Sequence, residues 1–469
     1  MSHSDRGADG ATGLIEGTGT RPPSGGDGSA AAIRTTAPIL ALPATLLDRL
    51  RVTLGIAEKG SPKGLNWQVL RQPGFSWYFT GSVVSNFGTW LQNTAQVVLA
   101  YQLTHSVFWV GLVTSAQFTS PLVLGAWAGV LTHKLGNWRT LIITQCASMI
   151  IALTLAGLEF GHALSRDWLV AGALLIGLAF TFALPALSVT VATLVPPTET
   201  KRALAMDSVS YNLGRALAPV FAVLMFTRIG FAWAFGLNAI SYGFFTVVLL
   251  CLRRRQAKAA GKRENNRSRI RNGFRIAWDD PRIMVLLLMV AAVTVAADPI
   301  LVLGPARARS FGSSADWSGL FIAALGVGNV IGSFRPSRQA PSIRRGAAVL
   351  AILSLAMIVF VTAPWIGISL AAAFAAGVSC LIAGVTMRAL LLHHAGPEHQ
   401  AAVMAAWAVA WAGSKPIASF VDGTLASHLG VPTTGCLLAL PALVPALVLL
   451  LWPAWGKRLV RHLTFGTAS

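Results

Sequence analysis

Five ionisable side chains stand in stretches of the sequence that are otherwise apolar. Arg215 and Lys415 each lie near the middle of a long hydrophobic segment, just ahead of a proline, and three carboxylates, Asp207, Asp298 and Asp422, lie in similar surroundings. A charge in an apolar medium is costly, so such groups should face a wet interior path, where they pair or exchange protons. The two cations favour an anionic or carboxylate-bearing small molecule as ligand, and the three carboxylates are candidates for proton coupling.

Two further cations leave a second reading of Asp298 open. The carboxylate of Asp298 stands about fifteen residues into its segment, and Arg307 and Arg309 follow it. A structural ion pair with one of these arginines therefore competes with a proton-carrying role.

A set of uncharged polar residues occupies the first hydrophobic segment. Between residues 82 and 96 they recur at three- and four-residue steps, which places them on one face of a helix. Amide groups in hydrocarbon must be satisfied, so this face should contact either a water-filled cavity or partner helices. The candidates for the substrate cavity are Asn86, Gln92, Asn93, Gln96 and Gln117, together with Arg215 and, opposite it, Lys415.

The composition excludes a soluble globular protein. Hydrophobic residues make up 54% and charged residues 12% of the 469 positions, whereas soluble domains carry about 25% charged residues. The apolar segments are each long enough, at about 20 residues, to cross a bilayer. We expect twelve transmembrane helices, at about 77–103, 107–132, 140–162, 168–195, 204–227, 232–252, 283–305, 317–334, 346–364, 366–387, 401–426 and 433–454.

The distribution of the basic residues explains the net charge of +20 without nucleic acid. Loops on one side of the twelve segments hold twenty Lys and Arg residues, and loops on the other side hold four. Loops rich in Lys and Arg stay in the cytoplasm. The pattern therefore predicts a multi-pass protein of the cell membrane, in contact with lipid, with both termini cytoplasmic.

The segments divide the chain into five parts. We expect a cytoplasmic tail over 1–74, a six-helix bundle over 75–252, a basic linker over 253–282, a second bundle over 283–455 and a short tail over 456–469. Leucines at four-residue steps within 38–58 fit an amphipathic helix on the membrane surface or a loosely helical linker. The linker carries eleven basic residues, which favour contact with anionic lipid.

Several motifs occur in an order that resembles a known family. They are SNFGTWLQNTAQ, FALPA, NLGRALAP and GLFIAALGVG, and in this order they resemble the major facilitator superfamily, in particular the branch that includes the enterobactin exporter and the transmembrane secretion effectors. The likeness covers about 75–450. It implies an all-α membrane protein of two pseudo-symmetric six-helix bundles, acting as a monomer, that exports a drug, siderophore or secondary metabolite by alternating access, coupled to protons.

The loop after the second segment departs from the pattern GxxxDRxGRR of that superfamily. The matching positions are Gly129, His133, Lys134, Gly136 and, one place late, Arg139. His133 stands where the family has an aspartate that holds the cytoplasmic gate, and a mostly neutral imidazole cannot replace this charge. The gate is either held in another way or looser.

The fifth segment also departs from the glycine-rich exporter motif of the family. Asn212, Arg215 and Pro219 match it, but Ala218, Ala222 and Val223 replace glycines, which weakens close helix contact. These departures keep a second function open, a transport-deficient membrane partner or sensor.

Other chemistry finds little support in the sequence. No P-loop motif occurs, and the buried polar residues include no nucleophile, base and orienting group at recognisable spacing, so we expect no enzyme and no cofactor. His393, His394 and His399 are close in sequence, but adjacent histidines point to different sides of a helix, which argues against a metal site.

Overall fold

The computed structural model describes residues 67–255, 275–276, 278–333 and 342–451. These residues are helical almost throughout, and no strand occurs among them. The predicted surface helix at 38–58, the tail at 456–469 and most of the linker at 253–282 lie outside the described residues.

Long α-helices make up the described residues, and most of those that follow one another are joined by very short connections. They are α1 (Pro73–Thr104), α2 (Val107–Leu135), α3 (Asn137–Phe160), α4 (Arg166–Thr193), α5 (Thr200–Arg228), α6 (Phe231–Arg255), α7 (Pro281–Ala297), α8 (Pro299–Ser310), α9 (Ser318–Ser333), α10 (Ile343–Thr362), α11 (Ile366–His394), α12 (Gly396–Leu429) and α13 (Val431–Leu451). Left-handed residues allow the abrupt reversals: His105 (φ +50°) ends α1, and Gly136 (φ +84°) separates α2 from α3. We call the end of the molecule that holds His105 and Ser106 the outer end, because the charge pattern predicts that it faces away from the cytoplasm.

Nine spans in the described part of the chain are long and apolar enough to cross a membrane, and α7 and α8 together form one of them. The shorter α9 is apolar, whereas α1 and α12 contain so many polar residues that their hydropathy alone does not identify them as spans. The prediction of an all-α, multi-pass membrane protein is confirmed, while the count of twelve spans stays a prediction.

The helices pack in two sets whose pairing repeats. In the first set α1 packs against α5, α2 against α4, and α3 against both α4 and α6. In the second set the same relations join α7 to α12, α9 to α11, and α10 to both α11 and α13. This repetition is what two similar bundles would produce.

A proline interrupts the span made of α7 and α8. Pro299 has no backbone N–H, so a regular helix cannot continue through it, and α7 ends at Ala297 while α8 begins at Pro299. Asp298 lies between them; its N–H donates to Thr294 and its carbonyl accepts from Leu301. The interruption therefore fixes the backbone that carries the Asp298 carboxylate.

Two seams hold the sets together, one between α2 and α12 and one between α5 and α9. In the first seam, a Cβ added at Gly423 would lie 3.0 Å from the Cα of Gly111 and 3.0 Å from the carbonyl oxygen of Val107. The hydroxyl of Ser115 also donates to the carbonyl of Pro416, at 2.8 Å. Glycines thus let the backbones touch near the outer end.

The second seam corrects the expectation that the lost glycines of α5 weaken helix contact. Val223 replaces a glycine, but a Cβ on the facing Gly319 of α9 would collide with the Val223 side chain. In the same way, a Cβ on Gly326 would lie 2.6 Å from the Cα of Ala216. The space that α5 has lost is supplied by glycines of its partner helix.

Away from the outer end, the two sets separate. A crevice of about 540 Å³ lies between α2, α4 and α12, and its walls include Gly125, Gly129, Pro185, Ala405 and Ala412. Small residues on all three helices leave this space open.

Replacing Gly423 by alanine should lower the melting temperature of the purified protein in detergent, because the new methyl group has no room against α2. The matched control is Gly236→Ala in α6, where nothing lies within 4 Å of an added Cβ. Both changes improve helix propensity by about 1 kcal/mol, so the difference between the two melting temperatures measures the lost contact at the seam. Equal melting temperatures for the two variants would contradict the close contact.

Candidate functional site

A small central hollow lies where the two sets of helices meet. Its walls are Trp90 of α1, Thr114 and Phe118 of α2, Arg215 of α5, Asp298, Leu301 of α8, Ile322 and Leu325 of α9, and Lys415 and Ser419 of α12. Its volume of about 20 Å³ has room for roughly one water molecule. Both cations predicted from the sequence therefore line one hollow.

The carboxylate of Asp298 pairs with Lys415. Nζ of Lys415 lies 3.5 Å from Oδ2 of Asp298, and the two side chains are only 12% and 13% exposed. Arg307, the alternative partner considered from the sequence, instead donates to the carbonyl of Phe360 at 3.0 Å and to the carbonyl of Ala363. Nothing in the sequence revealed this pair, because its members come from helices more than a hundred residues apart.

Arg215 is the uncompensated cation of the central hollow. Its guanidinium lies 5.4 Å from the centre of the Trp90 ring, within the range of a cation–π contact. Among the described residues no carboxylate lies within ion-pair distance of it, whereas Lys415 has both Asp298 and, at 5.0 Å, the ring of Phe118. The hollow thus carries one positive charge more than it neutralises.

A second hollow, the N-terminal hollow, lies inside the first set of helices and has a volume of about 70 Å³. Asn86, Asn93 and Gln117 line it, as expected, and the Nε2 of Gln117 donates to Oδ1 of Asn93 at 2.9 Å. Trp90 and Phe118 separate it from the central hollow, since they line both. Polar residues that sequence reasoning did not single out complete the wall: Thr144, Gln145, Ser148, Tyr211 and Tyr242.

Gln92 and Gln96 line neither hollow. Both are buried, and the Oε1 of Gln92 accepts a hydrogen bond of 2.7 Å from Asn238 of α6. The close approach of α6 at Gly88, where an added Cβ would lie 2.5 Å from Oδ1 of Asn238, explains this contact. The polar face of α1 therefore serves both purposes left open by the sequence: one edge faces a cavity and the other a partner helix.

The remaining two carboxylates differ in their surroundings. Oδ1 of Asp207 accepts from the hydroxyls of Tyr78 and Ser82, both at 3.2 Å. Asp422 is fully buried, and among the described residues neither of its carboxylate oxygens has a hydrogen-bond partner.

The described residues include most of the loop that corresponds to the gate motif. Gly129 borders the crevice, Gly136 adopts a positive φ that favours glycine, and Lys134 and Arg139 are exposed. His133 lies in the last turn of α2, and its side chain lies outside the described part. The gating role of these residues stays a prediction.

Replacing Asp298 by asparagine should lower the stability of the protein by about 3 kcal/mol, because it leaves Lys415 as a buried charge without a partner. The double variant Asp298→Asn/Lys415→Met should recover most of the loss. Thermal unfolding in detergent measures both. Asp167→Asn, at an exposed pair with Arg166, is the matched control and should change nothing; a loss that the double variant does not recover would contradict the pairing.

Comparisons with known proteins agree with this architecture. The sequence profile described as Major Facilitator Superfamily matches residues 78–419. The enterobactin exporter EntS of Salmonella choleraesuis (strain SC-B67) is 27% identical over 292 residues, which cover 61% of this chain and 69% of the relative. EntS of Escherichia coli O1:K1 / APEC is also 27% identical, with 61% and 68% covered.

Solved structures of transporters share the fold. A bacterial homologue of the human lysosomal transporter Spinster, in an inward-facing and occupied conformation, superposes with a TM-score of 0.61 at 14% identity, covering 84% of this chain and 99% of that one. The nucleoside transporter NupG gives a TM-score of 0.63 at 12% identity, with 79% and 98% covered. Together with the family profile, these findings show that the chain is a transporter rather than an enzyme, and that it belongs to the Major Facilitator Superfamily.

Proposed function

We propose that this transporter exports a small molecule bearing an anionic group, by alternating access and in exchange for protons. The relatives named above are enterobactin exporters, which supports export and makes a siderophore the first substrate class to test. A drug or another secondary metabolite fits the same mechanism.

The observation that carries the anionic preference is the uncompensated Arg215. Its guanidinium lies in the central hollow against Trp90, with no carboxylate at ion-pair distance among the described residues. A substrate anion would supply the missing charge, and the faces of Trp90 and Phe118 offer apolar surface to the rest of the molecule. Lys415 contributes less, because Asp298 already neutralises it.

The size of the central hollow supports alternating access. With room for roughly one water molecule, it is too small for a substrate, so binding requires the two sets of helices to move apart. The seam between α2 and α12 is closed near the outer end, whereas the crevice lies further from it. With both termini in the cytoplasm, as the charge pattern predicts, this arrangement corresponds to a conformation closed toward the outside.

Proton coupling is supported by the carboxylates. Asp298 is the carboxylate of the central hollow, and Lys415 stabilises its charge. When the two sets of helices move apart and this pair is broken, the carboxylate loses the cation that favours its charged form. A change in its protonation would then accompany the movement of the helices.

Purified protein in liposomes with a pH gradient tests this function, with enterobactin as the first probe and proton flux as the readout. Wild-type protein should move protons only when the probe is present. Arg215→Ala should lower the flux at least about tenfold, which corresponds to about 1.4 kcal/mol of lost interaction. Arg215→Lys should retain part of it.

The matched control is Arg309→Ala, at an exposed arginine near the outer end, which should transport like wild type. Unchanged transport of anionic probes by Arg215→Ala would overturn the proposed substrate preference. A folded wild-type protein that moved neither probe nor protons across a panel of anionic metabolites would favour the transport-deficient partner or sensor.

A further inference from the structure

The N-terminal hollow is polar but carries no formal charge. Its walls come from α1 to α6, so that a single set of helices encloses it. In the part of the chain that the structure describes, no Asp, Glu, Lys, Arg or His lines this hollow, whereas α1, α2, α3, α5 and α6 all contribute amide or hydroxyl groups to its wall. Such a wall suits a ligand group that forms hydrogen bonds without being ionised.

Two side chains of this wall have unused hydrogen-bonding capacity. Gln145 of α3 is 8% exposed, and its Oε1 has no hydrogen-bond partner among the described residues. The same is true of Nε1 of Trp90, which is 5% exposed. Buried polar atoms are costly when they lack a partner. Because Oε1 accepts and the indole N–H donates, a group that can both donate and accept, such as an amide or a hydroxyl, would satisfy the two.

The partition between the two hollows consists of aromatic rings that carry cations on one side. Trp90 and Phe118 line both hollows. Within the central hollow, Arg215 lies 5.4 Å from the centre of the Trp90 ring, and Lys415 lies 5.0 Å from the centre of the Phe118 ring. A molecule whose anion contacted Arg215 would therefore have its remaining part beside this partition.

The N-terminal hollow also has the larger volume. Its 70 Å³, against 20 Å³ for the central hollow, has room for about five water molecules, which suits a group of a few non-hydrogen atoms. Because all its walls belong to the first set of helices, this hollow can stay enclosed when the two sets move apart.

We propose that the N-terminal hollow binds an uncharged polar group of the substrate, an amide or a hydroxyl that a short chain joins to the anion at Arg215. This inference rests on the proposed export of an anionic molecule, and it specifies the other end of that molecule. The chain passes between the rings of Trp90 and Phe118, which must part to admit it. The bound group then stays with the first set of helices while the second set moves.

Calorimetric binding to the purified wild-type protein in detergent tests the site. The probes are butanoate, pentanoate and hexanoate, each compared with the same acid bearing a terminal primary amide, so that the chain length is varied as well. At least one amide-bearing acid should bind about tenfold more tightly than its plain counterpart. The amide is the more polar member of each pair, so partition into detergent cannot produce this preference. Equal or weaker binding of every amide-bearing acid, or no binding of any probe, would overturn the proposal.

Variants of the wall assign the preference to this hollow. Gln145→Leu should abolish it and leave the affinity for the plain acids unchanged. Ser148→Ala, a smaller change in the same wall, should reduce it and covers the case in which Gln145→Leu does not fold. The matched control is Asn329→Leu in α9, a buried amide whose Nδ2 also lacks a partner among the described residues but which lines neither hollow; it should keep the full preference. A preference that persisted in both Gln145→Leu and Ser148→Ala would contradict the site.

Arg215→Ala separates this inference from the proposed function. It should weaken the binding of both members of a pair by the same factor, because it removes the partner of the anion and leaves the N-terminal hollow intact. If Arg215→Ala bound the plain acids as tightly as wild type, the proposed anionic preference would fail, whatever the amide added. If Arg215→Ala weakened binding and the amide added nothing in wild type, this inference would fail alone.

Discussion

The cost of a charge in an apolar interior is the constraint that organises this molecule. Where an ion is present in the interior, a residue distant in the sequence can neutralise it, as Lys415 of α12 does for Asp298 between α7 and α8. A pair inside one half of the protein stabilises that half, whereas Arg215 reaches the same hollow from the other half. In the described part of the chain, the hollow therefore keeps one positive charge, that of Arg215, which no carboxylate there neutralises.

The break at Pro299 gives this balance its geometry. The span is divided at Pro299, while the N–H and the carbonyl of Asp298 still bond to Thr294 and Leu301. The carboxylate therefore stands at the junction of α7 and α8, on a backbone that is fixed on both sides, and it pairs with Lys415 in the central hollow.

Sequence reasoning was strongest where a single helix sufficed. The apolar segments, the polar face of α1 and the mid-segment positions of Arg215 and Lys415 follow from composition and period, and the structure brings the two cations into one hollow. It was weakest where two helices had to be combined. The turn of Gln92 toward Asn238 depends on the approach of α6, and no periodicity within α1 can separate that edge from the edge that faces a cavity.

At position 223 a valine replaces a glycine, and the facing residue Gly319 provides the space for it. Two helices keep the same distance between their axes when the summed volume of their facing residues stays the same. The larger side chain can therefore lie on either helix, provided that the facing residue is small. A sequence motif defined along one helix then fails to match a relative in which the glycine lies on the facing helix. Comparing pairs of facing positions, instead of consecutive ones, would recover it.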